Sequence, residues 1–201
     1  MARGIVDFEA LRSDEVQNLL NKKAAEAPPF NITKIGHTVL KVTDLERSID
    51  FYTNVMGFEV SDIYPGSMML GGMAFMRFNS DHHGVALVGG STRGSLSQEM
   101  HHMAFEVDTL DEVLRARDHL ERHGVAIDFE GRRRAGCQVA VEFRDPDNHR
   151  LEIYWGLDQV PKGGKARPPE EWVETMSLEE AIDNAPPGQD TSGHDPSFRR
   201  D

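Results

Sequence analysis

The stretch His37-Thr-Val-Leu-Lys-Val-Thr-Asp-Leu45 decides the fold, because it returns 65 positions later as His102-Met-Ala-Phe-Glu-Val-Asp-Thr-Leu110. In both copies apolar and polar side chains alternate, as they do along a half-buried strand. A helical pattern then covers Leu45–Val55 and Leu110–His123, and a glycine follows each helix. Further strands are expected at about 58–64, 73–79 and 84–90, and at about 125–129, 138–144 and 149–155. We therefore predict an α+β fold with two copies of a strand–helix–three-strand (βαβββ) module.

Segments of different character flank the repeat. Apolar residues at helical spacing predict an amphipathic helix over residues 5–27, which Pro28-Pro29 would end. The chain after Trp155 is rich in Gly, Pro and acidic residues, and we expect a short helix at about Glu170–Ala181 and disorder from Gln189 onward. The predicted organisation is a helical extension (1–30), a central domain (31–157, with modules at about 34–92 and 99–156) and a C-terminal tail (158–201).

Composition excludes several classes of function. The 201 residues include 22 Lys and Arg against 34 Asp and Glu, and a net charge of −12 repels nucleic acid and anionic lipid. No apolar stretch approaches the ~20 residues that span a membrane, and no secretory signal is visible. The basic run Arg132–Arg134 is expected to be mostly a solvated loop. A single cysteine, Cys137, fits a reducing cytoplasm and leaves imidazole and carboxylate as the donors for any metal.

Two histidines occupy matched positions of the repeat. Symmetric pairing of the modules would bring His37 and His102 to one point. A lone strand histidine is more often an ordinary residue, but the matched positions favour ligation of a metal. Glu152 lies within an apolar strand, where an inward carboxylate needs a cation or an arginine. The alternative is that Glu152 points outward on the other face of the strand.

The first module offers no fourth ligand. Subtracting the repeat offset of 65 from Glu152 leads to Leu87, within an apolar run. Two imidazoles and one carboxylate leave open coordination positions, which is typical of non-haem Fe(II) enzymes that bind substrate and dioxygen together. Mn(II), Zn(II) and Ni(II) are chemically compatible alternatives.

Three stretches of the central domain resemble the vicinal oxygen chelate superfamily, which includes glyoxalase I, bleomycin-resistance proteins and extradiol ring-cleaving dioxygenases. They are Ile35–Tyr52, Met100–Val107 and Phe143–Tyr154. The chain is most similar to single-domain type I extradiol dioxygenases. This resemblance implies an open, metal-centred β-barrel and Fe(II) held by His37, His102 and Glu152. Glyoxalase I resembles the chain less, because it has a further protein ligand near the position of Leu87.

The resemblance also implies residues that act on the substrate. His83 corresponds to a histidine that assists the attack of dioxygen, and an imidazole suits acid–base work near neutrality; the alternative is a solvated start of a strand. Many type I enzymes have a histidine and a tyrosine 19 and 10 residues before the glutamate ligand, where this chain has Arg133 and Glu142. We predict that both bind substrate, Arg133 through an anionic group. The alternative is a shifted loop that keeps both away from the site.

The preferred function is an Fe(II)-dependent, extradiol-type dioxygenase that cleaves a catechol-like ring with dioxygen. The alternatives are a metal-dependent isomerase, lyase or hydrolase of the same fold, and a metal-free protein that binds a small molecule. The expected partners are a small aromatic substrate, dioxygen and a second copy of the chain. Contacts of a homodimer are expected at the N-terminal helix or around Trp172, unless the tail folds back as a lid over the site.

Overall fold

The computed structural model describes residues 5–22, 28–30, 32–161 and 163–200, and it divides into one unit over residues 1–35 and another over residues 36–201. The first unit contains two short helices, α1 (Phe8–Leu11) and α2 (Asp14–Leu20). Ser13 separates them, because its hydroxyl accepts a hydrogen bond from the backbone N–H of Val16 and so begins a new helix. The single helix expected over 5–27 is therefore interrupted, and its last part, 23–27, lies outside the described residues.

The first module of the second unit forms a mixed four-stranded sheet in the order β1-β4-β3-β2. Strand β1 runs parallel to β4, and the other neighbours are antiparallel. Asp44 begins the helix by accepting a hydrogen bond from the N–H of Arg47. The elements are β1 (Thr38–Lys41), α3 (Leu45–Asn54), β2 (Glu59–Tyr64), β3 (Met73–Arg77) and β4 (Val85–Val88).

The second module repeats this topology in the order β5-β8-β7-β6. Its helix begins with a capping box, in which Thr109 and Glu112 each accept a hydrogen bond from the other's backbone N–H. The elements are β5 (Met103–Glu106), α4 (Leu110–Arg122), β6 (Ile127–Arg132), β7 (Val139–Arg144) and β8 (Arg150–Trp155). The predicted α+β fold of two βαβββ modules is confirmed.

Each sheet has one face in the hydrophobic core and one face that carries polar groups. On β1, Leu40 is buried in the core, whereas Val39 and Lys41 are exposed on the other face. On β8, Leu151 is buried in the same core, and its neighbour Glu152 projects from the opposite face. Chemistry-bearing side chains therefore collect on the faces turned away from the helices.

A buried polar cluster joins the turn between β7 and β8 to the first module. The Tyr52 hydroxyl donates to Asp145 Oδ2 at 3.0 Å, and a ring nitrogen of His149 lies 2.8 Å from the same oxygen. Burial, followed by the charge of Asp145, raises the pKa of Tyr52 well above its ordinary value. This cluster fixes the start of β8, and with it the strand that carries Glu152.

The C-terminal segment packs on the second module. Helix α5 (Leu178–Asp183) buries three apolar residues in the core and contacts β6 and β7. The close approach requires Gly131, which has φ +130° and where a Cβ atom would lie 2.4 Å from the carbonyl oxygen of Thr175. None of the helices within the described ranges is long and apolar enough to cross a membrane.

Two buried arginines explain why the tail is ordered where disorder was expected. Arg117 is fully buried and donates to Glu179 Oε1 at 2.8 Å and to the backbone oxygen of Phe198 at 3.0 Å. Arg132, expected in a solvated loop, is also fully buried and donates to the backbone oxygen of Asn184 at 2.8 Å. A buried guanidinium needs acceptors, and the tail supplies them.

Candidate metal centre

Glu152 and His102 meet on the polar face of the second sheet. Glu152 lies opposite Ala104 in the register of β5 and β8, and His102, two residues before Ala104, shares that face. His102 Nε2 lies 3.4 Å from Glu152 Oε2, and the carboxylate is 1% exposed. An inward, buried Glu152 is the orientation that a metal ligand requires.

His37 and His83 form a second pair on the first sheet. They precede the parallel neighbours β1 and β4, whose starts are joined by a 2.9 Å hydrogen bond from the Thr38 N–H to the Gly84 carbonyl. The imidazole centroids are 4.6 Å apart, and the ring of Phe75 stands edge-on to His83 at 5.1 Å. A predicted ligand and the predicted acid–base residue are thus in ring contact.

The described residues contain no group of three or more His, Cys, Asp or Glu side chains that could hold a metal ion. The structure brings together His102 with Glu152 and His37 with His83, and does not gather the predicted three ligands into one group. The first pair fits a cation, because ligands about 2.0–2.2 Å from a metal lie roughly 3 Å apart when adjacent. Two imidazoles and a carboxylate are also the donor types that Fe(II), Mn(II) and Zn(II) accept.

The first-module counterpart of Glu152 is Ala86 rather than Leu87. Val39 and Ala104 occupy equivalent positions of the repeat, 65 residues apart. In the parallel strand pairs, Val39 lies opposite Ala86 and Ala104 lies opposite Glu152. Leu87 belongs to the core face of β4 and is fully buried. Ala86 offers no donor atom either, so the prediction that this strand supplies no further ligand does not change.

Two successive polar contacts, from Asp62 to His82 and from His82 to His83, set the tautomer of His83. His82 Nε2 lies 2.9 Å from Asp62 Oδ2, and His82 Nδ1 lies 3.0 Å from His83 Nδ1. A carboxylate only accepts hydrogen bonds, so His82 Nε2 carries a proton and Nδ1 of the neutral ring is an acceptor. His83 Nδ1 therefore donates, and His83 Nε2 keeps the lone pair that a base needs.

Surrounding groups keep His83 neutral. Loss of solvation lowers its pKa below 6.5, and repulsion from His37 and His82 lowers it further, while Asp81 acts in the opposite direction. The imidazole is consequently ready to accept a proton near neutral pH.

A second histidine pair orients His102. His101 Nδ1 and His102 Nδ1 are 2.7 Å apart, and Arg150 Nη1 lies 3.3 Å from His101 Nε2. The contact through Nδ1 leaves His102 Nε2 facing Glu152. Sequence reasoning assigned no role to His101, although the matching pair His82 and His83 was a signal for one.

Arg133 and Glu142 lie together beside this site. Glu142 on β7 is directly opposite Glu152 on β8, so their side chains share a face. Arg133 Nε donates to Glu142 Oε1 at 2.6 Å, and the guanidinium carbon lies 3.4 Å from the ring centroid of Phe129. The aromatic ring and the carboxylate together hold the cationic group in a fixed orientation.

Gln138 is a further residue of the site that sequence reasoning missed. Its Nε2 donates to Glu152 Oε1 at 3.3 Å. Gln138 lies just before β7, although the sequence pattern placed it at the start of a strand over about 138–144. Only the fold shows that it reaches Glu152.

Comparison with known proteins identifies relatives of the central region. The family model described as Glyoxalase/Bleomycin resistance protein/Dioxygenase superfamily matches residues 34–153. Biphenyl-2,3-diol 1,2-dioxygenase 2 of Rhodococcus globerulus is 31% identical over 124 residues, 60% of this chain and 61% of that protein. Biphenyl-2,3-diol 1,2-dioxygenase of Metapseudomonas furukawaii is 28% identical over 131 residues, 64% of this chain and 42% of that protein.

Other relatives differ in length and in name. Lactoylglutathione lyase of Escherichia coli O157:H7 is 28% identical over 125 residues, 60% of this chain and 90% of that protein. A solved glyoxylase/bleomycin resistance protein/dioxygenase domain from Frankia sp. EAN1pec superposes with a TM-score of 0.55 at 21% identity, over 63% of this chain and 99% of that one. This likeness shows the fold. The chain spans only 42% to 61% of the length of the two diol dioxygenases above.

Proposed function

Because the chain belongs to the glyoxalase/bleomycin resistance protein/dioxygenase superfamily, we propose that it is an Fe(II)-dependent dioxygenase of the extradiol type, acting on a catechol-like ring. The observation that carries the proposal is the Glu152 carboxylate, 1% exposed and 3.4 Å from His102 Nε2. A buried carboxylate next to an imidazole supplies two donor groups of the kind that a divalent cation accepts. The names of the two diol dioxygenase relatives support the choice of reaction.

His37, His102 and Glu152 would hold the metal. Fe(II) would supply a place where two vicinal oxygens of the substrate and dioxygen meet, and it would favour loss of the substrate's protons. Glu152 contributes the negative charge that partly neutralises the cation. His101 contacts His102 through the two Nδ1 atoms, which are 2.7 Å apart.

His83 would exchange protons with the substrate. Its Nε2 accepts a proton from a ring hydroxyl, and the same nitrogen later returns it. Asp62 and His82 keep the required tautomer. Arg133, held by Glu142 and Phe129, would bind an anionic substituent of the ring.

The decisive experiment combines metal analysis with oxygen uptake. Protein purified without oxygen is expected to contain iron and to consume dioxygen with substituted catechols. His37→Ala, His102→Ala and Glu152→Ala are each expected to lose both properties, whereas His123→Ala, at the exposed end of α4, keeps them. Full turnover and bound metal in any of the three variants would show that the assigned ligands are wrong.

A second candidate is a metal-dependent lyase, isomerase or hydrolase, with the metal as a Lewis acid only. The chain spans 90% of lactoylglutathione lyase, a larger share than it spans of the two diol dioxygenases. Activity without oxygen, supported by Zn(II), Ni(II) or Mn(II), would favour this candidate. A metal-free binding protein would instead show no rise in melting temperature on addition of metal.

A further inference from the structure

We propose that Gln138 is a positioning residue that assigns different tasks to the two oxygens of Glu152. This inference rests on the proposed metal centre. Gln138 Nε2 lies 3.3 Å from Glu152 Oε1, while Oε2 faces His102 Nε2 at 3.4 Å. One oxygen is thus engaged by the amide, and the other is directed to the place where the candidate ligands meet. Glu152 would bind the metal through Oε2 alone.

The chemistry of the groups fixes the orientation of the Gln138 amide. An ionised carboxylate only accepts hydrogen bonds, so the amide nitrogen must face it. Rotation of the amide by 180° would bring two acceptor oxygens together. Gln138 Oε1 is itself buried and has no hydrogen-bond partner among the described residues. The amide is therefore placed for its contact with Glu152 rather than for a network of its own.

The loop that presents Gln138 is tightly constrained. Gly136 and Cys137, directly before it, both have positive φ, at 83° and 52°. A left-handed conformation is unfavourable for a side chain such as that of Cys137, and it persists only where the surroundings impose it. Arg133 N–H donates to the carbonyl of Gln138 at 3.0 Å and closes the loop. The same loop thus places Gln138 and Arg133.

Gln189 supplies the constraint from outside the matched family region. Its Nε2 donates to the backbone oxygens of Cys137 at 3.0 Å and Gly156 at 2.8 Å. Its Oε1 accepts from Arg132 Nε at 3.1 Å and from Nη2 at 2.6 Å. One side chain of the tail therefore ties the loop to the end of β8 and to the end of β6. By this route the C-terminal segment is connected to the loop that presents Gln138.

The test is a titration of the metal-free protein with Mn(II), with the free ion measured by electron paramagnetic resonance. The variants are Gln138→Met and Gln138→Leu, which remove the donor and keep a side chain of similar size. The matched control is Gln159→Met, because that exposed amide donates to the backbone oxygen of Leu157 at 3.1 Å, in the loop after β8. The melting temperature of each metal-free protein shows whether the fold has changed.

Both Gln138 variants are expected to raise the Kd for Mn(II) about 10–100-fold, the usual effect of removing a group that orients a ligand. The control should bind like the wild type, and all metal-free proteins should melt alike. Gln138 variants that bind Mn(II) as tightly as the wild type would overturn the positioning role while leaving the metal centre intact. A wild-type protein that binds no Mn(II) would overturn the metal centre, and this inference with it.

Discussion

Asp147 accepts two hydrogen bonds from Thr43, 104 positions earlier in the chain, one from the backbone nitrogen at 2.9 Å and one from Oγ1 at 2.6 Å. Its other oxygen accepts from the Ser48 hydroxyl at 3.0 Å and lies 3.1 Å from Arg47 Nη2. The turn that precedes β8 is thereby fastened to the start of α3. The position of Glu152, five residues further on, depends on this contact between the modules.

Asp147→Asn should destabilise the fold, because an amide NH₂ would then face groups that donate hydrogen bonds. Loss of bonds to a buried charge predicts a fall in the free energy of unfolding of about 2–3 kcal/mol, measured by urea denaturation at pH 7. Asp128→Asn is the control: its ion pair with Arg144 is partly exposed, and it should change stability by less than about 1 kcal/mol. Equal urea midpoints for the two variants would contradict a role of Asp147 in joining the modules.

The same carboxylate should make stability depend on pH. Burial by itself raises the pKa of Asp147, but hydrogen bonds from Thr43 and Ser48 outweigh it and hold the pKa below 3.8. A folded-state pKa below the unfolded one means that the stabilisation is complete above about pH 4 and is lost as pH falls through the folded-state value. The difference between wild type and Asp147→Asn in urea should therefore shrink at pH 3. If the difference in stability between the two proteins does not change with pH, another group controls the loss of stability at acidic pH.

Glu179→Gln tests the attachment of the tail. The variant leaves Arg117 fully buried with a neutral partner, although Asp118 still lies 3.4 Å away. We expect a loss of about 2 kcal/mol in urea, less than the ~3–5 kcal/mol of a buried ion pair that loses its only partner. Asp183→Asn, in an exposed pair with Arg199, is the control. If both variants unfold like the wild type, the buried arginine does not depend on the tail.

His83→Gln should separate catalysis from metal binding. Removal of an acid–base group lowers kcat about 10²–10⁴-fold, while the Kd for Mn(II) should not change because His83 is not a proposed ligand. Oxygen uptake and Mn(II) titration measure the two effects, and His123→Gln should alter neither. A variant with normal kcat would exclude His83 as the acid–base group.

Arg133→Met should change substrate preference. The guanidinium is held over Phe129 and beside Glu142, where it can pair with an anion on the ring. Loss of a charged hydrogen bond predicts a rise in KM of about 10–100-fold for a carboxylated catechol, and no change for unsubstituted catechol. Arg134→Met, whose arginine pairs with Glu174, is the control. If the ratio of KM for the carboxylated catechol to KM for unsubstituted catechol is the same in both variants, Arg133 does not bind the anion.

The duplicated modules could be predicted because local patterns encode them. Alternation, helical spacing and terminal glycines all lie within about 50 residues of His37 and recur after His102. The packing of the tail could not be predicted this way, because it depends on contacts between residues that are far apart in the sequence. Arg132 belongs to a basic run that is typical of a solvated loop, and only the approach of Gln189 and Asn184 makes its burial tolerable.

For the candidate site, the sequence indicated the residue types and the fold supplied their neighbours. A constant repeat offset of 65 pointed to Leu87, but the chain from Val39 to its partner Ala86 is one residue shorter than the chain from Ala104 to its partner Glu152. The register of β1 and β4 corrects the position to Ala86. Gln138 was expected at the start of a strand, and the sequence did not indicate that its side chain would reach Glu152.

Gly131 gives the docked tail a signature that can be searched for. A methyl group there would lie 2.4 Å from the carbonyl oxygen of Thr175. A larger residue at this position is therefore sterically incompatible with the docked tail. Sequences with glycine at this strand position, arginine next to it and a downstream glutamine should share the architecture. Sequences with a larger residue there should have lost the tail or moved it. A search of sequences for these three residues can thus distinguish superfamily members that have the tail from those that lack it, without a structure of each.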